Sequence, residues 1–114
     1  MAYARALDAL GDPTRRRIFD LLRVKPRSVG DVARHVPVSR PAVSQHLRVL
    51  KDAGLVSDRA HGAKRVYAIA PGGVAEVRKY FDELWQQALA AFKEAAESQT
   101  LPPRRKRQRK GATR

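Results

Sequence analysis

The chain has 114 residues and a formal net charge of +13, a length that suits one small domain and leaves little room for a large enclosed active site. With 43% hydrophobic and 31% charged residues its composition is that of a globular protein. It holds no cysteine for a disulfide framework and no apolar run long enough to span a membrane. Nor does a long apolar stretch follow Met1-Ala2-Tyr3-Ala4-Arg5, which argues against a secretory leader, so we expect a cytoplasmic protein.

The charge is unevenly spread. Pro102 to Arg114 carries seven Lys or Arg and no acid, which leaves 17 basic against 11 acidic residues over positions 1 to 101. We therefore expect a folded domain over 1–101 and a disordered basic arm over 102–114. The body stays cationic without the arm, which favours a polyanionic partner. The arm itself either adds salt-dependent, sequence-independent affinity or only aids solubility.

Tyr3, Ala6, Leu7 and Leu10 recur at helical spacing and stop at Gly11, giving a short first helix. Asp12-Pro13-Thr14 reads as an N-cap followed by proline at the first helical position, and Ile18, Phe19, Leu21 and Leu22 form the apolar face of the helix it opens. Lys25-Pro26 ends that helix. Ser28 with a carboxylate three residues on, at Asp31, resembles a capping box, and Val29, Val32, Ala33 and Val36 supply the apolar side of a short third helix broken at Pro37-Val38. Ser39 caps a fourth helix that carries Pro41 in its first turn and reaches about Ala53, before Gly54. Two helices joined by a few residues make a helix-turn-helix.

Beyond Gly54, Leu55–Arg59 and Arg65–Ile69 are strand-like runs flanking Ala60–Lys64, a β-hairpin or wing. Pro71-Gly72-Gly73 separates it from a final helix over about Val74–Ser98. Val74, Val77, Phe81, Leu84, Trp85, Ala88, Leu89, Phe92 and Ala96 form an apolar stripe too long for a small domain to cover. A second copy of the same helix, joined by Tyr3, Leu7 and Leu10 of the first helix, is the simplest cover. The expected class is mainly α with a small β-hairpin, a winged helix-turn-helix of about five helices dimerising through its first and last helices.

At about 100° per residue, Val43, Leu47 and Leu50 share the inward face of the fourth helix. The opposite face presents Pro41, Gln45, Arg48 and Asp52, flanked by Arg40, Ser44 and Lys51. Gln and Arg suit bidentate contacts to adenine and guanine edges, whereas Ser, Lys and a helix N-terminus suit phosphate. We expect Gln45 and Arg48 to read bases in double-stranded DNA, Ser39, Arg40, Ser44 and Lys51 to hold phosphates, and Pro41 to lie on the same face. At the hairpin tip Arg59, His61, Lys64 and Arg65 gather around Gly62, in reach of phosphates or a minor groove if the tip is more than a solvated loop.

Metal and catalysis find no footing. His35, His46 and His61 are spread along the chain without ligand spacing, and His46 sits near the inward edge of its helix, where a half-buried structural role fits. The neighbours Asp82 and Glu83 point apart on a helix, and no nucleophile set or phosphate-cradling glycine loop is present. We expect no metal, no cofactor and no enzyme. Two other readings stay open, a protein-interaction module built on the last-helix stripe and a nonspecific nucleic-acid binder led by the basic arm.

Ala9-Leu10-Gly11-Asp12-Pro13-Thr14-Arg15 followed by Arg16-Arg17-Ile18, and Pro41-Ala42-Val43-Ser44-Gln45-His46-Leu47 with Leu50 and Ala53-Gly54-Leu55-Val56, resemble the ArsR family of bacterial transcription regulators, across roughly residues 3 to 97. The resemblance implies a dimer built on the first and last helices, recognition helices in successive major grooves, and repression released by a signal. Metal-sensing members commonly carry Cys-x-Cys at the start of the third helix, where this chain has Ser28-Val29-Gly30. Others place Asp and His ligands on the last helix, which here has no histidine. The resemblance therefore leaves the inducer open.

Overall fold

A computed structural model describes residues 2–98, so the basic arm expected over 102–114 lies outside the described residues. The elements in chain order are α1 (Ala2–Gly11), α2 (Pro13–Val24), β1 (Arg27–Ser28), α3 (Val29–Ala33), α4 (Arg40–Asp52), β2 (Val56–His61), β3 (Lys64–Ile69) and α5 (Pro71–Ser98). They divide into two units, one ending at Tyr80 and one beginning at Phe81, with α5 contributing to both.

The α1–α2 corner is made by its polar residues. Asp12 stands in extended backbone as N-cap and its Oδ2 accepts from the Arg15 amide at 2.8 Å, satisfying one of the orphan donors at the start of α2. The same turn of α2 closes the end of α1, whose last carbonyls lack helical partners. Arg15 Nε donates to the Ala9 carbonyl at 2.7 Å, and Arg16 Nη1 to that of Leu10 at 3.0 Å. The Asp-Pro-Thr-Arg-Arg run thus caps two helices at once.

Ser28 caps α3 through the Asp31 amide, but α3 ends at Ala33, earlier than its apolar spacing suggested. Val36 is buried all the same, reaching the core from a turn, so apolar periodicity outlasted the helix. Arg27 ties α3 back to α2: Nε donates to the Leu21 carbonyl at 3.1 Å and Nη1 meets Asp31 Oδ2 at 3.0 Å. Its side chain is only 9% exposed, so this pair is far better shielded from solvent than the Arg34–Asp31 pair, whose arginine is 74% exposed.

Helix α4 runs from the Ser39 cap to Asp52 and closes in a Schellman arrangement. The Leu55 amide donates to the Leu50 carbonyl and that of Gly54 to Lys51, with Gly54 at φ +79°. The reversal swings the chain into the sheet and buries Leu55 against the core.

The sheet is antiparallel in the order β1-β3-β2. Its hairpin is longer and tighter than the sequence indicated, since His61 pairs with Lys64 across the two residues Gly62-Ala63, and Gly62 takes φ +63°. The short β1, invisible to periodicity, pairs Arg27 with Tyr67 and Ser28 with Val66. Helix α5 begins at Pro71, three residues before the expected start; Pro at a first helical position needs no N–H. Gly73 is required there, because a Cβ would collide with the Gly54 carbonyl.

The core of the first unit is formed by Ala6 and Ala9 of α1, Ile18 and Leu22 of α2, Val32 of α3 and Val36 after it, Val43, Leu47 and Leu50 of α4, and Leu55 and Val56. Leu10 and Val77, both expected at a dimer contact, are partly buried and pack against this core. Tyr3 stacks on Tyr80 with ring centroids 4.4 Å apart. In the second unit α5 buries no residue. Phe81, Leu84, Trp85, Leu89 and Phe92 are between 44% and 61% exposed, an apolar row at spacings of three and four.

Candidate nucleic-acid interface

Val43, Leu47 and Leu50 are fully buried, and this fixes the rotation of α4. The opposite face, with Pro41, Ser44, Gln45, Arg48, Lys51 and Asp52, is consequently exposed. His46 lies between the two faces, half-buried, with Nδ1 3.3 Å from Arg15 Nη1. Arg15 therefore links the α1–α2 corner to the flank of α4 and steadies its direction.

The cations on this side fall into two groups. Arg40, Arg48, Arg59 and Lys64 make no side-chain ion pair among the described residues, and Gln45 and His61 make no side-chain hydrogen bond there. Lys51, expected to hold phosphate, and Arg65, expected among the wing-tip contacts, are drawn together by Asp58. Lys51 Nζ lies 2.8 Å from Asp58 Oδ1 and Arg65 Nε 2.8 Å from Oδ2. The Asp58 side chain is only 6% exposed. The hydrogen bond from Lys51, followed by that from Arg65, holds its carboxyl below the ordinary value despite opposing desolvation.

This clamp joins the last turn of α4 to both strands of the wing and sets how the wing stands beside the helix. Sequence reasoning missed it because the pairing depends on hairpin register. Asp58 faces Tyr67, which makes Arg65 its diagonal neighbour across the ladder. Asp58 in the first strand of a basic hairpin was the available signal.

At the other end of α4, Ser39 Oγ accepts from the Ala42 amide at 3.3 Å, so part of its hydrogen-bonding capacity is committed to the cap. Arg40 lies over Gly30 of α3, where an added Cβ would come within 3.0 Å of its guanidinium. The histidines stay apart in role: His35 Nδ1 is 2.8 Å from the Asp31 carbonyl, His46 meets Arg15, and His61 ends β2. Among the described residues no group of three or more His, Cys, Asp or Glu side chains is placed to hold a metal. No helix there is long and apolar enough to cross a membrane.

An exposed helix face with amide and guanidinium donors, flanked by uncommitted cations on its first turn and on an adjacent hairpin, defines a winged helix-turn-helix DNA-binding protein. Residues 12–58 match the model of the bacterial regulatory protein, arsR family. The HTH-type transcriptional regulator Rv2034 of Mycobacterium tuberculosis is 50% identical over 95 residues, spanning 83% of this chain and 89% of that protein. The transcriptional repressor SdpR of Bacillus subtilis is 43% identical over 61 residues, 54% of this chain and 68% of SdpR. Among solved structures, the homodimeric winged helix-turn-helix DNA-binding domain of Mb0332 from Mycobacterium bovis, a possible ArsR-family regulator, superposes with a TM-score of 0.61 at 30% identity, covering 75% of this chain and 80% of that one. The chain belongs to the ArsR family of bacterial transcriptional regulators.

Proposed function

We propose that this regulator is a cytoplasmic repressor that binds a palindromic operator as a homodimer and blocks transcription until a signal releases it. The observation that carries the reading is the exposed face of α4, where Gln45 and Arg48 stand uncommitted beside the free cations Arg40, Arg59 and Lys64. Gln45 and Arg48 read base edges in the major groove. Ser44, Arg40 and the start of α4 hold phosphates on one side, and Arg59, His61 and Lys64 around Gly62 grip the backbone or minor groove on the other. Lys51 and Arg65 act mainly by holding the wing through Asp58. The folded domain, residues 1–101, carries specificity, and the arm over 102–114 adds nonspecific affinity.

The dimer contact takes in the exposed row Phe81, Leu84, Trp85, Leu89 and Phe92, with Ala88, and also Tyr3, Leu7, Leu10 and Val77, of which Leu10 and Val77 are partly buried in the first unit. Such a row is costly to leave in water, and the Mb0332 domain, described as homodimeric, supports a homodimer here. SdpR's role as a repressor supports repression here.

Selection from a random duplex pool with the purified chain tests this reading. The expected product is an inverted repeat with half-sites about 34 Å apart. Recovery of unenriched sequence, or binding abolished by deleting residues 102 to 114, would instead indicate nonspecific binding led by the arm. A stable monomer by light scattering would point to a heterologous partner for the α5 row.

A further inference from the structure

A cleft of about 340 Å³ opens between the start of α3, the first turn of α4 and the wing tip, lined by Ser28, Gly30, Arg34, Arg40, Lys64 and Arg65 together with Asp31. Four cationic residues and one carboxylate share this lining, and the carboxylate is already satisfied: Asp31 Oδ1 meets Arg34 at 2.8 Å and Oδ2 meets Arg27 at 3.0 Å. Hydrogen bonds from Arg34 and then Arg27 hold its carboxyl below the ordinary range, so it stays ionised and paired. Arg40 and Lys64 have no ion-pair partner among the described residues, and Arg65 gives only Nε to Asp58. Gly30 leaves room for Arg40, since an added Cβ would come within 3.0 Å of its guanidinium and the arginine would have to shift.

We infer that this cleft binds a phosphate group. Guanidinium forks and an ammonium converging on one opening match a tetrahedral dianion with several acceptor oxygens better than any neutral ligand. The cleft is larger than a bare phosphate requires and falls at the lower end of small-molecule sites, so the occupant is a phosphorylated small molecule. Arg40 and Lys64 are also operator grips in the function proposed above. On that reading, which this inference deepens, a free phosphorylated ligand and the operator compete for the same cations, and the ligand acts as inducer.

The test uses the full chain and pyrophosphate as probe, read by residue-resolved amide NMR so that the basic arm does not obscure the site. Saturable shifts are expected at Gly30, Arg40 and Lys64, absent with sodium chloride of equal ionic strength and weakened at least about tenfold in Arg34→Gln. Arg34 is 74% exposed, so this variant keeps its fold, and Gly30→Ala, which displaces Arg40 without changing charge, is expected to weaken the probe as well. A parallel arm measures operator affinity against salt. If pyrophosphate does not saturate but Arg34→Gln lowers the slope of log K against log salt by about 0.9, the cleft serves DNA phosphate alone and the inference fails. Shifts that survive Arg34→Gln unchanged, or an absence of both effects, would overturn the inference. Loss of wild-type operator binding with pyrophosphate binding intact would sink the repressor reading and leave the cleft standing.

Discussion

Replacing Asp58 with Asn isolates the clamp between α4 and the wing, because it removes one charge and keeps the side chain's size. Two ion pairs at 2.8 Å are lost, with partners about half exposed, Lys51 at 50% and Arg65 at 56%. Pairs of that exposure contribute little each, so the expected loss of stability is about 1–2 kcal/mol, read as a fall in Tm at fixed protein concentration. The effect on DNA binding has two parts of opposite sign. Freed from the clamp, Lys51 and Arg65 become available to phosphates, so nonspecific affinity rises and the slope of log K against log salt steepens by about 1–2. The wing, no longer tied to the recognition helix, loses its fixed position, and the ratio of operator to nonspecific affinity falls at least about tenfold. Fluorescence anisotropy with operator and scrambled duplexes across a salt series reads both quantities. An unchanged slope together with an unchanged ratio would show that Asp58 neither withholds these cations nor positions the wing.

Gly73→Ala is expected to destabilise the fold by about 1–3 kcal/mol in chemical denaturation, since its Cβ has only the Gly54 backbone to displace. Trp85→Glu, placing a charge in the exposed row of α5, is expected to shift the dimer to monomer in sedimentation at micromolar concentration while leaving the helical circular dichroism intact. Acid titration follows from the carboxyls of Asp12, Asp31 and Asp58, all lowered by hydrogen bonding from 3.8. Their stabilisation is full above the unfolded value and is lost as pH falls below about 4 and through the lowered folded values. Asp58→Asn should flatten that acid limb, and a limb of unchanged steepness would contradict the assignment.

What could be read from the sequence is what local chemistry decides. Asp12 and Pro13 at the start of α2, Ser39 and Pro41 at the start of α4, and Gly54 at its end were legible because caps and a left-handed glycine depend on neighbours a few residues away. The buried and exposed faces of α4 followed from spacing alone. Misreadings arose where distant contacts decide. Val36 is buried from a turn, so α3 stops at Ala33, and Arg27-Ser28 is a strand only because β3 lies beside it. Pro71-Gly72-Gly73 looked like a separator but starts α5, its last glycine kept small by the backbone of Gly54. The Asp58 clamp was illegible for the same reason: it joins residues of α4, β2 and β3 that only hairpin register and the Schellman turn bring together.

The most direct measurement is the set of sequences selected from a random duplex pool by the wild type and by Arg48→Ala, compared base by base. Loss of preference at one symmetric pair of positions, by about 1–3 kcal/mol each with the rest of the motif retained, is the result expected if this guanidinium reads a base edge. An Arg48→Ala motif identical to the wild type's would contradict the placement of α4 in the major groove.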